Sequence, residues 1–154
     1  MPAKTLKAFL DKEQVKYVSI KHSAAFTAPE VAASAHVSGR DFAKTVIMMI
    51  DGEMAMVVLP ANRMLVLNEL REMLDMSHVR LASEAEYREV FPDCEIGAMP
   101  PFGNLYGLKT YVTSNLAEEK EITFNAGTHT EAIKMAYEDY ERLVQPTVLD
   151  FVTT

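Results

Sequence analysis

Two long apolar runs on either side of an Asp-Gly pair form the clearest pattern in the chain. The first run covers residues 44–50 and the second covers 53–59. Asp-Gly between two apolar runs is a strong signal for a β-hairpin with a two-residue turn. Because both runs are apolar almost throughout, we expect two central strands that are covered on both faces of their sheet.

Apolar residues recur at helical spacing in other parts of the chain. We predict a helix over residues 3–13, where Leu6, Phe9 and Leu10 share one stripe, and another over 65–74. Capping-box patterns at 27–30 and 83–86 predict two more helices, over 28–36 and 84–90.

The remaining regular segments are predicted to be strands. Short alternating patterns indicate strands over 17–20, 108–113 and 121–124. Residues 131–144 fit either one helix or a strand over 132–136 that is followed by a helix. Hairpins interspersed with helices, without a βαβ rhythm, predict an α+β fold with a mixed, curved sheet. The length of 154 residues predicts a single domain over 1–154.

Composition and charge limit the classes of function. The chain is 49% hydrophobic and 24% charged, which is typical of a globular protein, and its net charge of −7 argues against a general nucleic-acid binder such as a DNA-binding protein. Five lysines in the first 21 residues could form a local basic face or simply a solvated helix surface. The single cysteine, the lack of a secretory pattern and the lack of a membrane-spanning run lead us to expect a cytoplasmic protein.

A few residues stand out as candidates for chemistry. The segment 97–104 places two glycines around a Pro-Pro pair, which predicts a stiff loop that is either a pocket rim or a plain connection. Lys44 opens an apolar strand and could bind an anion, or it could be a charge that discourages aggregation. His129 follows a turn and could contact a ligand or lie on the surface. Cys94 lies between two acidic residues, which disfavours a thiolate. No short metal-ligand spacing occurs, so we expect neither a metal nor a cofactor.

Several segments spread over nearly the whole chain match one known family. They are His22 with 26–30, 43–46, the Asp51-Gly52 hairpin, 57–60, 97–103, and 124–129. Taken together they resemble the YbaK/ProX family of trans-editing aminoacyl-tRNA deacylases, which is related to the editing insertion domain of bacterial prolyl-tRNA synthetase. The resemblance implies a partly barrel-like sheet surrounded by helices. It also implies that residues 131–136 are a strand followed by a helix.

The resemblance implies an activity and a set of site residues. The activity is metal-independent hydrolysis of the ester that joins a wrong small amino acid to tRNA, with the tRNA 3′ end as partner. An aminoacyl-tRNA synthetase could deliver the tRNA, or lysines of the first helix such as Lys7 and Lys12 could contact it. The family positions make Lys44 and His129 catalytic and assign substrate binding to Phe26, Thr27, Gly97, Ala98, Met99, Pro100, Phe102, Gly103, Gly127 and Thr128.

The physical chemistry of an ester supports this interpretation. An activated ester needs orientation, a placed water and stabilisation of the oxyanion rather than a covalent nucleophile. We hypothesise that backbone N–H groups near Gly97 and Gly103 polarise the carbonyl, and that Met99 and Phe102 restrict the pocket to small side chains. The alternatives are a non-catalytic binding module on the same fold and a metal-dependent hydrolase.

Overall fold

The computed structural model describes residues 4–22, 29, 37–150 and 152–154. The helices in these residues are α1 (Lys4–Lys12), α2 (Leu67–Leu74), α3 (Glu84–Tyr87), α4 (Ser114–Ala117) and α5 (Tyr137–Val144), with a 3₁₀ turn at Gly103–Leu105. The strands are β1 (Tyr17–Lys21), β2 (Phe42–Ile50), β3 (Glu53–Pro60), β4 (Val79–Leu81), β5 (Lys109–Thr113), β6 (Glu121–Thr128), β7 (Glu131–Ala136) and β8 (Thr147–Leu149). No helix among the described residues is long and apolar enough to cross a bilayer.

All eight strands belong to one mixed sheet. Seven of them follow the order β1-β7-β6-β2-β3-β5-β8, and β4 pairs with the end of β2. The pairs β2–β6, β3–β5 and β5–β8 are parallel, and the other pairs are antiparallel. The predicted α+β class is therefore confirmed, with an open sheet whose outer strands are β1 and β8.

The predicted hairpin is the centre of this sheet. Strands β2 and β3 pair from Ile50↔Glu53 to Ala43↔Pro60. Asp51 and Gly52 have φ values of 47° and 83°, as a type I′ turn requires at both central positions. Most side chains of both strands are buried, which confirms that the hairpin is covered on two faces.

The two faces of the sheet pack against different parts of the chain. Alternate residues of β2, such as Ala43 and Ile47, belong to the largest buried cluster, which also holds Leu6 and Leu10 of α1. The residues between them point to the other face, where Met48 packs in a second cluster with α2. Lys44 therefore lies on the face of the sheet opposite to α1.

The structure confirms most of the predicted elements. The helices over 3–13 and 65–74 and the strands over 17–20 and 108–113 form with ends shifted by one or two residues. The capping box at Ser83 and Glu86 is present, although α3 ends at Tyr87. The strand followed by a helix after residue 130 is confirmed as β7 and α5. The helix predicted over 28–36 falls outside the described residues apart from Pro29.

Three strands differ from the sequence predictions. Strand β6 continues to Thr128 instead of ending near Phe124, because an irregularity between Asn125 and Thr128 and a φ of 93° at Gly127 let it bend without stopping. Strands β4 and β8 were not predicted. Each has three residues, which is too short for alternation to distinguish it from a loop.

Candidate functional site

The sheet opens between β2 and β6. These parallel strands pair only at Phe42↔Thr123 and Ala43↔Phe124, and the next residues along the two strands are Lys44 and Asn125. Farther along, β2 pairs with β4 instead. Neighbouring parallel strands that part from each other leave a crevice, which is a common position for ligands in sheet proteins.

Lys44 lies at the start of this opening, in register with Leu59 of β3. Its side chain is partly buried, and no ion pair or hydrogen bond joins its ammonium group to any residue in the described part of the chain. Burial lowers the pKa of Lys44, because removing water disfavours the charged form. A partly dehydrated ammonium group without a partner among the described residues makes Lys44 a candidate contact for an anionic or strongly polar ligand.

Asn125 is the neighbour of Lys44 across the opening, and the sequence analysis did not select it. It lies in register with Ala132, which packs with Phe42 on the Lys44 face of the sheet. Asn125 is only 8% exposed, and its Oδ1 has no hydrogen-bond partner among the described residues. Buried polar atoms are normally paired, so Oδ1 of Asn125 is a candidate ligand contact at this opening. The sequence could have pointed to Asn125, because a polar asparagine is unusual within an otherwise apolar strand.

The Gly97 loop lies beside the end of β6. The N–H of Glu95 donates to the Gly127 carbonyl at 2.8 Å, and the Gly127 N–H donates to the Ala98 carbonyl at 2.9 Å. The loop therefore occupies the place next to β6 that β2 has left. Gly97 has a φ of 84°, a conformation that favours glycine. Lys44, Asn125 and the loop are thus positioned around one opening.

His129 is held against the loop by hydrogen bonds at both its main chain and its ring. Its N–H donates to Oε1 of Glu95 at 2.7 Å, and its Nε2 lies 2.8 Å from the Ile96 carbonyl. Because a carbonyl oxygen can only accept, Nε2 carries a proton and the Nδ1 of a neutral ring is the acceptor. A Cβ atom at Gly97 would lie 3.5 Å from Cε1 of His129. The ring contacts the loop, and its predicted catalytic role stays a prediction.

The rest of the loop is anchored in the core. Within residues 97–103 only Gly97 is exposed. The Phe102 ring is fully buried, with its centroid 5.4 Å from that of Phe124 and 5.3 Å from that of Tyr140. The Tyr140 hydroxyl donates to the Pro101 carbonyl at 2.8 Å. Met99 belongs to the same buried cluster, so Met99 and Phe102 contact the core and support the loop from below.

Two glycines of the loop have different surroundings. A Cβ atom at Gly103 would lie 2.2 Å from Thr110 Oγ1 and 2.7 Å from the Leu108 carbonyl oxygen, so close packing requires glycine there. At the other end, the N–H groups of Gly97 and Met99 make no hydrogen bond to any described residue. These two N–H groups are candidate donors for an oxyanion at this end of the loop.

The remaining predicted residues and the cysteine are placed as follows. Phe26 and Thr27 lie outside the described residues, and Gly127 and Thr128 end β6. Burial, the largest effect, raises the pKa of Cys94 to about 12, as expected for a structural thiol. Within the described ranges, no three His, Cys, Asp or Glu side chains are placed to hold a metal ion.

The lysines of α1 do not line the opening. Lys7 forms an ion pair with the buried carboxylate of Glu131, which also contacts Lys21 at 2.9 Å. Lys7 is therefore occupied in the fold, on the opposite face of the sheet from Lys44. Lys12 is exposed and has no ion pair with a described residue, so it is the better position at which to test contact with RNA.

Solved structures show the same fold. The chain matches the crystal structure of a hypothetical protein, APE2540, with a TM-score of 0.85, 20% identity, and coverage of 98% of this chain and 100% of the other. It also matches a candidate trans-editing enzyme for prolyl-tRNA synthetase, with a TM-score of 0.81, 20% identity, and coverage of 97% and 95%.

Sequence comparison defines the class of protein. The family model for the aminoacyl-tRNA editing domain matches residues 22–143, and the chain belongs to this family. It is therefore an aminoacyl-tRNA deacylase, which hydrolyses the ester of an aminoacyl-tRNA. A curated relative is the multifunctional Ser/Thr-tRNA deacylase ProXp-y of Escherichia coli (strain K12), 28% identical over 152 residues that cover 96% of this chain and 90% of the relative. The resemblance to the YbaK/ProX deacylases is confirmed.

Proposed function

We propose that this chain removes a small, wrongly attached amino acid from tRNA, and that the aminoacylated 3′ end enters the opening between β2 and β6. The observation that carries this proposal is that the Lys44 ammonium and the neighbouring Oδ1 of Asn125 both have no partner among the described residues. Burial removes water from both polar groups. A ligand would satisfy both if a phosphate or ester oxygen accepted from Lys44 and an N–H or O–H group donated to Asn125.

Each group at the opening has a role in the proposed hydrolysis. Lys44 contacts the terminal phosphate or the ester oxygens of the substrate. The N–H groups of Gly97 and Met99 stabilise the negative charge that develops on the carbonyl oxygen when water attacks. Oδ1 of Asn125 accepts a hydrogen bond from the α-amino group, which every aminoacyl-tRNA carries. The ribose 2′-hydroxyl assists the attacking water, as the family resemblance suggests.

The size of the amino acid is set by the rigid loop and by the small side chains near it. Ala132 and Ala61 pack beside Phe42 on the Lys44 face, where larger side chains would fill the opening. The E. coli relative acts on seryl- and threonyl-tRNA according to its name, so these two are the first substrates to test. Because this chain is acidic overall, tRNA delivery depends on a local basic surface or on an aminoacyl-tRNA synthetase.

The test is a deacylation panel with single-residue variants. Purified protein is incubated with tRNAs charged with serine, threonine, alanine, proline, cysteine or glycine, beside the variants Lys44→Ala and Asn125→Ala. Lys120→Ala is the matched control, because Lys120 is exposed, lies outside the N-terminal group of lysines and has no ion pair among the described residues. We expect hydrolysis of one or a few substrates, a loss of about 10²–10³-fold in kcat/KM for Lys44→Ala, and unchanged activity for the control.

The same panel discriminates the alternatives. Binding of aminoacyl-tRNA without any turnover would favour a non-catalytic binding module. Loss of activity on treatment with a chelator, restored by added zinc, would establish a metal-dependent hydrolase. Equal activity of Lys44→Ala and the Lys120→Ala control would remove Lys44 from the site.

A further inference from the structure

We propose that Glu95 is a positioning residue of the deacylase, whose carboxylate holds the His129 turn against the Gly97 loop and so places the Gly97 N–H. This inference rests on the proposed function and adds a residue to its machinery. Neither the sequence pattern nor the family resemblance pointed to Glu95.

Glu95 uses three of its groups at the junction between the loop and β6. Oε1 accepts from the His129 N–H at 2.7 Å, its own N–H donates to Gly127, and its carbonyl accepts from Ala98 at 3.0 Å. Glu95 is exposed, whereas His129 is only 8% exposed. An ionised carboxylate is a stronger acceptor for a backbone N–H than a neutral oxygen is, because the negative charge shortens and strengthens the hydrogen bond.

This junction lies where the regular sheet no longer holds the chain. Strand β6 has lost its β2 partner after Phe124, and its pairing with β7 is irregular between Asn125 and Thr128. Backbone hydrogen bonds of Gly127 with Glu95 and Ala98 hold the loop to β6, and the Glu95 carboxylate adds a side-chain hydrogen bond to the turn that follows the strand. Through its carboxylate, Glu95 contacts His129, which lies 34 residues later in the chain. Glu95 itself lies two residues before Gly97.

The Gly97 N–H makes no hydrogen bond of its own within the described residues, so its position depends on its neighbours. The His129 ring stabilises the loop from the other direction, through Nε2 and the Ile96 carbonyl. When the Glu95 carboxylate is lost, the ring contact and the backbone bonds at Gly127 remain, but the turn loses one bond that fixes its distance to the loop, so the Gly97 N–H can shift. A displacement of about 1 Å at such a donor can cost about 10²-fold in rate.

The experiment compares Glu95→Ala, Glu95→Gln and Glu89→Ala on the substrate that the wild-type protein hydrolyses best. Glutamine keeps an oxygen that can accept from His129 but has no charge, whereas alanine removes the acceptor. Glu89 is an exposed glutamate without an ion pair to any described residue, so its replacement changes the net charge alone. Steady-state kinetics are measured well below the unfolding temperature of each variant, and the hydrogen exchange of the His129 amide is followed by NMR.

We expect Glu95→Ala to lower kcat at least about tenfold with a smaller change in KM, because the misplaced donor acts mainly in the transition state. Glu95→Gln should recover most of the activity, and Glu89→Ala should match the wild type. The His129 amide should exchange faster in Glu95→Ala and stay protected in Glu95→Gln.

Two results would overturn the inference: wild-type kinetics in Glu95→Ala, or equal losses in the alanine and glutamine variants, which would assign the effect to charge. Failure of the proposed function looks different, because the wild-type protein itself would then hydrolyse no charged tRNA.

Discussion

The carboxylate of Glu131 is the most heavily paired buried charge among the described residues, and its removal gives a stability prediction with a pH signature. Glu131 is 6% exposed at the start of β7. It forms ion pairs with Lys7 of α1 and with Lys21 of β1, and it accepts from the Ser19 hydroxyl at 2.5 Å. These contacts join α1 and β1 to the strand that follows the His129 turn.

The magnitude follows from the shifted pKa. Burial alone would raise the pKa of Glu131, but the hydrogen bonds from Lys7, Ser19 and Lys21 outweigh it and lower the pKa from 4.5 to about 2. That shift corresponds to at most about 3 kcal/mol of stability. Because Lys21 is largely exposed and partly screened by water, we expect Glu131→Gln to lower the free energy of unfolding by about 1–3 kcal/mol at pH 7.

The sign of the pH dependence is set by the direction of the shift. A carboxyl group with a lowered pKa contributes its full stability above its unfolded pKa of 4.5, and loses it as the pH falls through about 2. The difference between wild type and Glu131→Gln should therefore shrink to less than about half by pH 3. Glutamine has nearly the same shape as glutamate, so the comparison of wild type with Glu131→Gln isolates the effect of the negative charge.

The assay is urea unfolding followed by circular dichroism at pH 7, 5 and 3, for the wild type, Glu131→Gln and the exposed control Glu89→Gln. A double-mutant cycle with Lys7→Met measures how much of the loss belongs to the Lys7 pair. The reasoning would be refuted if Glu131→Gln were as stable as the control at pH 7. A difference that stays constant down to pH 3 would also contradict it.

Two further predictions concern the loop and the cysteine. Gly103→Ala should destabilise the protein by about 3 kcal/mol, because its Cβ would lie 2.2 Å from Thr110 Oγ1 and 2.7 Å from the Leu108 carbonyl oxygen. A Cβ atom at Gly107 would meet no atom of the described residues within 4 Å, so Gly107→Ala should cost only about 1–2 kcal/mol for its φ of 72°. Equal losses of the two variants in thermal unfolding would contradict the packing argument. Because burial raises the pKa of Cys94 to about 12, the thiol should resist alkylation at pH 8 in the folded protein and react readily in urea. If Cys94 of the folded protein were alkylated as fast as in urea, the thiol would be accessible and the prediction would be wrong.

Local sequence determined the kinds of elements in this protein and the class to which it belongs. The Asp51-Gly52 turn, the apolar strands beside it and the capping box at Ser83 each depend on residues close together in the chain, so their patterns predict them directly. The same holds for the family, since its matching segments are short motifs. Local pattern did not decide the strand over residues 131–136, which only the family resemblance distinguished from a helix, and it did not reveal the short strands β4 and β8.

The tertiary structure alone decided how the site is assembled. Strands β2 and β6 are about 80 residues apart in the sequence, and they pair over two residues each before parting. That pairing places Asn125 beside Lys44, and no local pattern contains it. The pairing of Lys7 with Glu131 and the contact of Glu95 with His129 are equally long-range. Local spacing specifies to which face of the sheet a side chain points. The residues that this side chain contacts depend on how distant segments bury their apolar faces together.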